Sequence, residues 1–429
     1  MKTSITINVE RIIPGGRGLG FHEGRAVFVP FSVPGDRVRV LESRDRNSYL
    51  EVLVSEVIES APLRIIPPCP YFGNCGGCDF QQMSYEQQLL SKKGILLDAL
   101  KHIGKIDWPP SRIAITPSPP LNYRNRLQVK IVPSENDFSF GFYQTGSHRI
   151  CIVDQCLIST EPLWNFLQAL RQAIGRVPHI AESLDEIEIL QGDGEEFLVN
   201  LKLKKELASW DCLYQDSIRE IPKWDGSTFY VSLPSGYSHR VSGRGYIWKT
   251  VGEEKYRVSQ GAFFQVNEPL LPALRDLVIS DYSGKRALDL FCGVGFFSLA
   301  LAKVFEEVLA VEVNPVAGLD LEENLRANRI TNCRYSPGDV KKFLREEGPK
   351  LGAVDLILID PPRPGLPQRD IHSVAGLGAR DFVYVSCDPS TLARDLKILL
   401  SHDYRIYSLD LIDLFPQTHH LETVARLKK

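Results

Sequence analysis

Hydrophobic positions along the chain fall into successive patterns that predict different kinds of structure. Over residues 1–58, short runs with alternating apolar residues are separated by turns that contain glycine or proline, as in I-T-I-N-V-E, R-A-V-F-V-P and R-V-R-V-L. Alternation with a period of two is typical of half-buried strands. Short strands at this spacing predict a small β-barrel of the OB type, a fold that commonly binds oligonucleotides.

From about residue 284 the pattern changes to continuous apolar runs that alternate with segments of helical length. The runs are R-A-L-D-L-F, V-L-A-V-E-V, V-D-L-I-L-I-D and F-V-Y-V-S-C. Continuous apolar runs indicate strands that are buried on both faces. Their alternation with helices predicts an α/β domain with a doubly wound parallel sheet, which we assign to residues 266–429.

The region between these two, residues 59–265, is the least regular part of the chain. Prolines between residues 62 and 70 mark a linker, and S-Y-E-Q-Q-L-L-S-K-K-G-I-L-L-D-A-L-K-H-I then has the apolar spacing of a helix. A second helix is predicted near Trp164 to Ile174, and strand-like runs follow, such as F-L-V-N-L-K-L. We therefore expect an α+β central region.

Composition narrows the class of protein. The 429 residues contain no apolar run of the ~20 residues that a membrane span needs, and the N-terminus lacks the apolar core and cleavage site of a secretion signal. We expect a cytosolic protein without membrane contact. The net charge of −3 provides no general basic field. Arg124, Arg126 and Lys130 nevertheless share one face of a predicted strand, where they could follow a nucleic-acid backbone or simply be solvated.

Ligands of such sheets bind at the carboxyl ends of the strands. The first strand of the C-terminal domain ends in D-L-F-C-G-V-G-F-F, where Gly293 and Gly295 allow a ligand to approach the backbone. Glu312 ends the second strand about 20 residues later, where an acid can bind ribose hydroxyls. A nicotinamide dehydrogenase shares both features. Ser298 stands where a pyrophosphate-binding turn has a third glycine, which favours S-adenosylmethionine, a ligand without phosphate.

Two further strand ends carry reactive groups to the same edge. Asp360 follows the fourth strand, and Cys387 follows the fifth, immediately before a predicted helix. A helix dipole lowers the pKa of a thiol at this position, so we expect Cys387 to be a nucleophile. Cys292, inside the glycine loop, is the rival candidate. From the residues alone, Glu422 on the last strand would be an ordinary surface charge.

Several motifs resemble one family. D-P-P-R-P-G, S-C-D-P-S-T-L-A-R-D, F-F-Q-V-N at residues 263–267 and H-H-L-E-T-V-A-R-L are similar to those of the RNA uracil-C5 methyltransferases, which make 5-methyluridine in ribosomal and transfer RNA. The resemblance extends to C-P-Y-F-G-N-C-G-G-C and to the N-terminal barrel, which is similar to the TRAM domain of that family. It covers essentially the whole chain and implies a class I S-adenosylmethionine-dependent methyltransferase domain at its C-terminal end.

The resemblance implies roles for individual residues. Cys387 would add to carbon 6 of uracil, and Glu422 would remove the hydrogen from carbon 5 after methyl transfer. Phe263 is a candidate stacking partner for the target base, with core packing as the alternative. The residues implied to line the S-adenosylmethionine pocket are Gln265, Phe291, Phe296, Glu312, Asp339 and Asp360. Of these, Phe296 would contribute mainly its backbone.

Four cysteines are implied to bind a metal group. Cys69, Cys75 and Cys78 have the C-x5-C-x2-C spacing of metal ligands, and the resemblance adds Cys156 and a [4Fe-4S] cluster. Structural zinc is the alternative, since four thiolates also suit that ion. Cys151 lies in an apolar run that is typical of a strand interior.

The barrel and the cysteines together are most similar to family members that act on 23S ribosomal RNA, with a transfer RNA substrate as the alternative. A non-catalytic RNA-binding protein is a further alternative, which the presence of both Cys387 and Glu422 disfavours. One active site per chain makes a monomer sufficient.

Overall fold

The N-terminal domain is a small half-barrel. The computed structural model describes residues 5–134, 138–176, 181–205 and 226–429. The first six strands form one sheet in the order β1-β5-β6-β4-β3-β2. Its two edge strands, β1 and β2, are joined by only two residues, which bends the sheet into a half-barrel. Their bounds are β1 (Thr6–Asn8), β2 (Arg11–Ile12), β3 (Gly18–His22), β4 (Arg25–Val29), β5 (Arg37–Asp45) and β6 (Tyr49–Glu59). The predicted barrel is confirmed, and alternate apolar residues of these strands fill its core.

A helix follows the cysteine-rich segment. Helix α1 (Tyr85–Ala99) begins where the Ser84 hydroxyl accepts a hydrogen bond from the Gln87 backbone N–H, an arrangement typical of a helix N-cap. A π-helical turn (Leu100–Gly104), a 3₁₀ turn (Pro110–Arg112) and strand β7 (Ile113–Thr116) come next. The predicted helix is therefore confirmed. Its apolar face packs into the core of the C-terminal domain through Ile95, Leu96 and Ala99, and Leu100 of the π-helical turn joins them.

The described part of the central region contains a seven-stranded sheet in the order β10-β9-β8-β11-β12-β13-β14. Among its described strands, only β12 and β13 pair in parallel. Helix α2 (Glu161–Gly175) covers it with a strongly apolar face. The strands are β8 (Arg126–Pro133), β9 (Phe138–Tyr143), β10 (Ile150–Ile152), β11 (Leu184–Gln191), β12 (Phe197–Leu203), β13 (Thr228–Ser232) and β14 (Ser238–Ser242). A separate hairpin, β15 (Tyr246–Val251) and β16 (Glu254–Ser259), follows.

The C-terminal domain is an α/β domain built on an eight-stranded sheet in the order β19-β18-β17-β20-β21-β23-β22-β7. Strands β17 to β21 are parallel, as predicted, and β23 is antiparallel to both of its neighbours. The strands are β17 (Gly284–Leu290), β18 (Phe305–Glu312), β19 (Cys333–Pro337), β20 (Leu356–Ile359), β21 (Asp381–Ser386), β22 (Arg405–Ile412) and β23 (Glu422–Lys428). The helices are α3 (Leu271–Ile279), α4 (Ser298–Leu301), α5 (Pro315–Ala327), α6 (Val340–Glu346), α7 (Gln368–Gly376) and α8 (Pro389–Leu400), with 3₁₀ turns at Glu268–Leu270 and Gly348–Lys350.

Two segments from outside residues 266–429 complete this domain. Strand β7 pairs in parallel with β22 at the end of the sheet, and the β15–β16 hairpin packs into the same core as β17 and α5. The chain thus begins the C-terminal domain at α1, leaves it after β7 to form the central sheet, and returns at β15. Among the described residues, none of the helices is long and apolar enough to cross a membrane.

Two of the three cations expected on one strand face are engaged within the protein. Arg126 donates to the Glu188 carboxylate, and Lys130 lies 2.9 Å from both Asp185 and Glu186. These carboxylates belong to β11, the neighbouring strand. Because their charges are already paired, Arg126 and Lys130 are not the free cationic row that the spacing suggested.

A buried ion pair ties α1 to the loop of residues 413–421, which connects β22 to β23. Both Lys92 and Asp413 are fully buried, with 2.5 Å between Nζ and Oδ1. The Lys92 ammonium also donates to the carbonyl of Phe415, and the Tyr85 hydroxyl donates to the other Asp413 oxygen. Burial lowers the pKa of Lys92, and the Asp413 carboxylate opposes that change. A charge buried in this way depends on its partner.

Replacing Lys92 should therefore destabilise the fold strongly. We expect Lys92→Ala to lower the free energy of unfolding by about 3–5 kcal/mol, because it leaves the Asp413 carboxylate buried without a cation. Urea unfolding followed by circular dichroism measures this change. Lys93→Ala is the matched control and should cost less than about 1 kcal/mol, since Lys93 is only half-buried. Equal losses in the two variants would contradict the assignment.

Candidate active site

The carboxyl ends of β17 to β21 bring five of the predicted site residues to one edge of the sheet. The parallel register of these strands aligns their ends. Each residue either ends a strand or follows it closely in the chain: Phe291 after β17, Glu312 in β18, Asp339 after β19, Asp360 after β20 and Cys387 after β21. This arrangement is the one that α/β sheets use to bind ligands.

Antiparallel pairing brings Glu422 to the same place. Strand β23 begins with Glu422, and its register pairs Thr423 with Ser386, the residue before Cys387. Continuing this register by one residue brings Glu422 opposite Cys387, and the charge of Glu422 acts on the Cys387 thiol. Glu422 is almost fully buried and Cys387 is half-buried. A thiol and a carboxyl thus stand side by side at the edge of the sheet.

The surroundings of Cys387 raise its pKa. Burial has the largest effect, and the charges of Glu422 and Asp360 add to it, so that the pKa of the thiol rises to about 12. Burial also raises the pKa of Glu422 well above its ordinary range, with Asp360 contributing. Our expectation that the pKa of Cys387 is lowered is wrong, because burial and the neighbouring carboxyls of Glu422 and Asp360 raise it.

Arg363 is the cation that counteracts these carboxyls. Its charge lowers the pKa of both Cys387 and Glu422. The Arg363 Nη2 lies 3.1 Å from Nε2 of His420, and burial lowers the pKa of that imidazole to about 3. His420 is therefore neutral and can accept a hydrogen bond from the guanidinium. Arg363 lies in D-P-P-R-P-G and His420 in H-H-L-E-T-V-A-R-L, but neither had a role predicted from the sequence.

The glycine loop after β17 leaves room for a ligand. Phe291 has a φ of 66°, in the left-handed region that is costly for a large side chain. A Cβ added to Gly293 would meet no atom within 4 Å, so space is open beside the backbone. Both oxygens of Glu312 are fixed by backbone N–H groups, with Gly293 N at 3.0 Å and Asn314 N at 2.7 Å. The loop and the Glu312 carboxylate therefore form one unit.

Asp289, inside β17, belongs to the same site but was not singled out in the sequence. It is fully buried, accepts from the Ser298 hydroxyl at 2.5 Å, and has one oxygen without a hydrogen-bond partner. Burial raises its pKa to about 7. Burial and the charge of Asp289 also raise the pKa of Asp360. Its position next to the glycine turn is the signal that could have identified it.

The remaining predicted residues differ in their surroundings. Gln265 is buried, whereas Phe263 exposes 58% of its surface and is accessible to a ligand. The Phe296 ring packs against Tyr256 and Phe264 in the core, and its carbonyl accepts a hydrogen bond from the Tyr256 hydroxyl. Asp339 is exposed and caps α6, accepting from the Lys342 backbone N–H at 2.7 Å. The rival nucleophile Cys292, within the glycine loop, is buried.

The four predicted metal ligands share one cavity of about 410 Å³, which also reaches Arg363 and His420. We call it the cysteine cavity; its thiols are those of Cys69, Cys75, Cys78 and Cys156. Burial raises the pKa of Cys75 to about 11, and charges on Cys151, Cys156 and Cys69 add to this effect. Over the described ranges, no three His, Cys, Asp or Glu side chains are arranged so that they could hold a metal ion together. Cys151 is buried in β10, as predicted.

Comparison with known proteins decides the family. The model of the family described as tRNA (uracil-5-)-methyltransferase matches residues 84–429. The chain belongs to this family. Its enzymes transfer a methyl group from S-adenosylmethionine to carbon 5 of uracil in RNA, which removes the nicotinamide dehydrogenase alternative.

Full-length relatives agree with this assignment. An uncharacterized RNA methyltransferase of Aquifex aeolicus is 36% identical over 438 residues, which cover 99% of this chain and 98% of the relative. A 23S rRNA (uracil(1939)-C(5))-methyltransferase of Alkalilimnicola ehrlichii is 32% identical over 96% of this chain and 93% of its own length. The tRNA (uracil-54, C5)-methyltransferase of Pyrococcus abyssi, solved with S-adenosyl-L-homocysteine, is 25% identical with a TM-score of 0.75, and covers 98% of this chain and 99% of its own.

In this uracil-5 methyltransferase the reactivity of Cys387 should depend on Arg363. We expect the alkylation of Cys387 by iodoacetamide to accelerate as the pH rises, because the thiolate is the reactive form and its pKa is high. Arg363→Ala removes a charge that lowers this pKa, so alkylation at pH 8 should slow by about 3- to 10-fold. Peptide mass spectrometry measures the rate at Cys387.

Arg369→Ala is the matched control for this experiment. Arg369 is exposed on α7, outside the groups that shift the pKa of Cys387. Its replacement should leave the alkylation rate unchanged. Unchanged alkylation in Arg363→Ala as well would show that the guanidinium does not act on the thiol.

Proposed function

We propose that this enzyme methylates uracil through a covalent adduct, with Cys387 as the nucleophile and Glu422 as the base. The observation that carries the proposal is the register of β21 and β23, which sets the thiol and the carboxyl side by side at the edge where α/β sheets bind ligands. Nucleophilic catalysis requires a thiol within reach of the substrate, and general-base catalysis requires an acceptor beside the reacting carbon.

The proposed cycle forms and later breaks a covalent bond between Cys387 and uracil. The Cys387 thiolate forms a bond to carbon 6 of uracil, and the electrons of the ring double bond move towards carbon 5 and the carbonyl oxygen at position 4. Carbon 5 then takes the methyl group of S-adenosylmethionine, whose methyl–sulfur bond breaks to leave S-adenosylhomocysteine. Glu422 accepts the hydrogen of carbon 5 as a proton. The double bond forms again, and the Cys387 thiolate leaves.

The raised pKa of Glu422 suits this cycle, whereas the raised pKa of Cys387 disfavours its thiolate until the substrates bind. A carboxyl whose pKa is raised, such as Glu422, is a stronger base once it is ionised. Arg363 stabilises the thiolate form of Cys387 before attack and the carboxylate form of Glu422 afterwards. Because a target base within stacked RNA is inaccessible, the base must leave the stack, and the exposed Phe263 ring offers a surface on which it can rest.

The donor side of the site suits S-adenosylmethionine. Glu312 is fixed beside the open space at Gly293, where a carboxylate can bind ribose hydroxyls. Asp289 and Asp360 are acids with raised pKa values, and Asp289 retains one unpaired oxygen. The positive sulfonium of S-adenosylmethionine would favour their ionised forms. Gln265, Phe291, Asp339 and the backbone of Phe296 complete the proposed pocket.

Two substitutions separate the chemical steps. Cys387→Ala should abolish methylation but leave S-adenosylmethionine binding within about twofold, since the thiol lies on the RNA side of the site. Glu422→Gln should slow turnover by roughly 10²–10⁴-fold and accumulate protein joined covalently to RNA, because only proton removal is lost. Denaturing gels show the adduct, and calorimetry measures cofactor binding. Methylation by Cys387→Ala would refute the mechanism, and a non-catalytic RNA-binding protein would form no adduct.

The substrate that we propose is 23S ribosomal RNA. The support is the higher identity to the ribosomal enzyme, 32% compared with 25% for the transfer RNA enzyme. A transfer RNA uridine is the second candidate, favoured by the structural match along the whole chain. Nucleoside mass spectrometry on separated RNA pools, from cells with and without the gene, distinguishes them. Loss of 5-methyluridine from ribosomal RNA alone supports the first candidate, and loss from transfer RNA alone supports the second.

We also propose that the cysteine cavity holds a [4Fe-4S] cluster on Cys69, Cys75, Cys78 and Cys156. The support is chemical: the four thiols line one cavity and lie near enough for a charge on one to raise the pKa of another. Thiolates are the ligands that such clusters use. The cluster would join the cysteine segment to the central region through Cys156, and none of the steps above needs electron transfer.

Metal content tests this assignment. Enzyme purified without air should contain iron and acid-labile sulfide, and Cys156→Ser should lower both. Cys151→Ser is the matched control, because Cys151 is buried in β10 and accepts a hydrogen bond from Asn74 at 3.3 Å. It should leave the iron content unchanged. A colourless protein that contains zinc would overturn the cluster in favour of a structural zinc site.

A further inference from the structure

The loop of residues 413–421, which leads into Glu422, is held by side chains from distant parts of the chain. Gln88 of α1 makes two hydrogen bonds of 3.0 Å to Gln417, one to its side chain and one from its backbone N–H. The buried Tyr123 hydroxyl donates to the carbonyl of Pro416 at 2.9 Å. Gln417 has a φ of 67°, a conformation that the surrounding contacts must maintain.

Asp79 joins this loop to the cysteine segment. It follows Cys78 directly, and the backbone N–H groups of Asp79 and Phe80 both donate to the carbonyl of Gln417, at 2.9 and 3.0 Å. The Asp79 carboxylate lies 2.7 Å from the imidazole Nδ1 of His419 and accepts from the His419 backbone N–H at 3.3 Å. Asp79 therefore fixes both the backbone and the ring of His419.

The N-terminal half-barrel closes over the same contact. A Cβ on Gly16, between β2 and β3, would lie 3.0 Å from the His419 Cβ and 3.4 Å from the Asp79 Cβ. The half-barrel, the cysteine segment and the C-terminal domain thus meet at Asp79 and His419. A displacement of any one of the three would alter the contact between Asp79 and His419.

The contact continues to the catalytic pair. The rings of His419 and His420 lie 4.2 Å apart between centroids, and His420 meets the guanidinium of Arg363. Arg363 in turn is the cation that faces Cys387 and Glu422. From His419, a further three residues of chain lead to Glu422. The position of the base and of its cation both depend on the ring that Asp79 holds.

We propose that Asp79 is a positioning residue for Glu422 and Arg363, acting through His419. This inference rests on the proposed covalent mechanism and assigns a task to the cysteine segment: it supplies the outer support of the base. Loss of that support should affect proton removal, which needs Glu422 at carbon 5, more than RNA binding.

Asp79→Ala tests the proposal. The substrate is whichever unmodified transcript the unchanged enzyme methylates, 23S ribosomal RNA or transfer RNA. We expect kcat to fall by roughly 10- to 100-fold while KM changes by less than about twofold, since a small displacement of a catalytic group has effects of this size. Covalent protein–RNA adduct should accumulate on denaturing gels, as for Glu422→Gln. Iron content should match that of the unchanged enzyme.

Three further variants separate positioning from folding. Asp79→Asn should recover most of kcat, because the amide oxygen can still accept from the His419 N–H groups. His419→Ala should reproduce the adduct without altering the cysteine segment. Asp98→Ala is the matched control. It removes the ion pair between Asp98 of α1 and Arg11 of the half-barrel, 2.7 Å apart, which does not touch the loop. Its kcat and adduct level should be unchanged.

The outcomes separate this inference from the proposed function. Normal kcat and no adduct in Asp79→Ala and His419→Ala, beside an active unchanged enzyme, would overturn the positioning role alone. A fall in kcat without adduct that Asp79→Asn does not recover would assign Asp79 a purely structural role and also overturn it. Formation of no 5-methyluridine by the unchanged enzyme on either transcript would overturn the proposed function and this inference with it.

Discussion

The pairing of β23 between β21 and β22 is the constraint on which the active site depends. A sheet made only of parallel strands would send every strand in the same direction, and each carboxyl end could deliver one residue to the site edge. The antiparallel strand instead delivers its first residue, Glu422, to that edge. A shift of one residue in this register would turn the Glu422 side chain to the other face of the sheet. The apolar faces on both sides of β23 prevent such a shift.

The site concentrates acids in a place where burial makes their ionisation costly. Asp289, Asp360 and Glu422 all have raised pKa values, and Arg363 is the cation that lowers the pKa of Glu422. Such a site is electrostatically incomplete without its substrates. In the proposed mechanism, a sulfonium donor supplies positive charge at one end, and the electron-poor ring of uracil supplies an acceptor for the thiolate at the other. Ligand binding and the activation of Cys387 are therefore parts of the same change in charge balance.

The parallel sheet, helices α1 and α2 and the N-terminal strands could be predicted from the sequence, because each depends on local periodicity. The strand ends followed from the sheet, and with them the places of Glu312, Asp360 and Cys387. Motif resemblance was needed for Glu422, since its partner across the ladder lies far away in sequence. Strand β7, Asp289 and the contact of Asp79 with His419 were missed for the same physical reason. Long-range pairing leaves no periodic signal, and the balance that raises the pKa of Cys387 arises only when several elements pack together.

The route of the chain through the C-terminal domain has a consequence for folding. Strand β7 completes the sheet by pairing with β22, although most of the chain lies between them. During synthesis, α1 and β7 emerge early and must keep their apolar faces unpaired until β22 and β23 have formed, a topology of high contact order that folds slowly. The strands of the central sheet, by contrast, are close together in sequence, so this sheet can form before α1 and β7 find their partners. The nascent protein is thus expected to pass through a stage with a finished central region, an exposed amphipathic helix and an active site that does not yet exist.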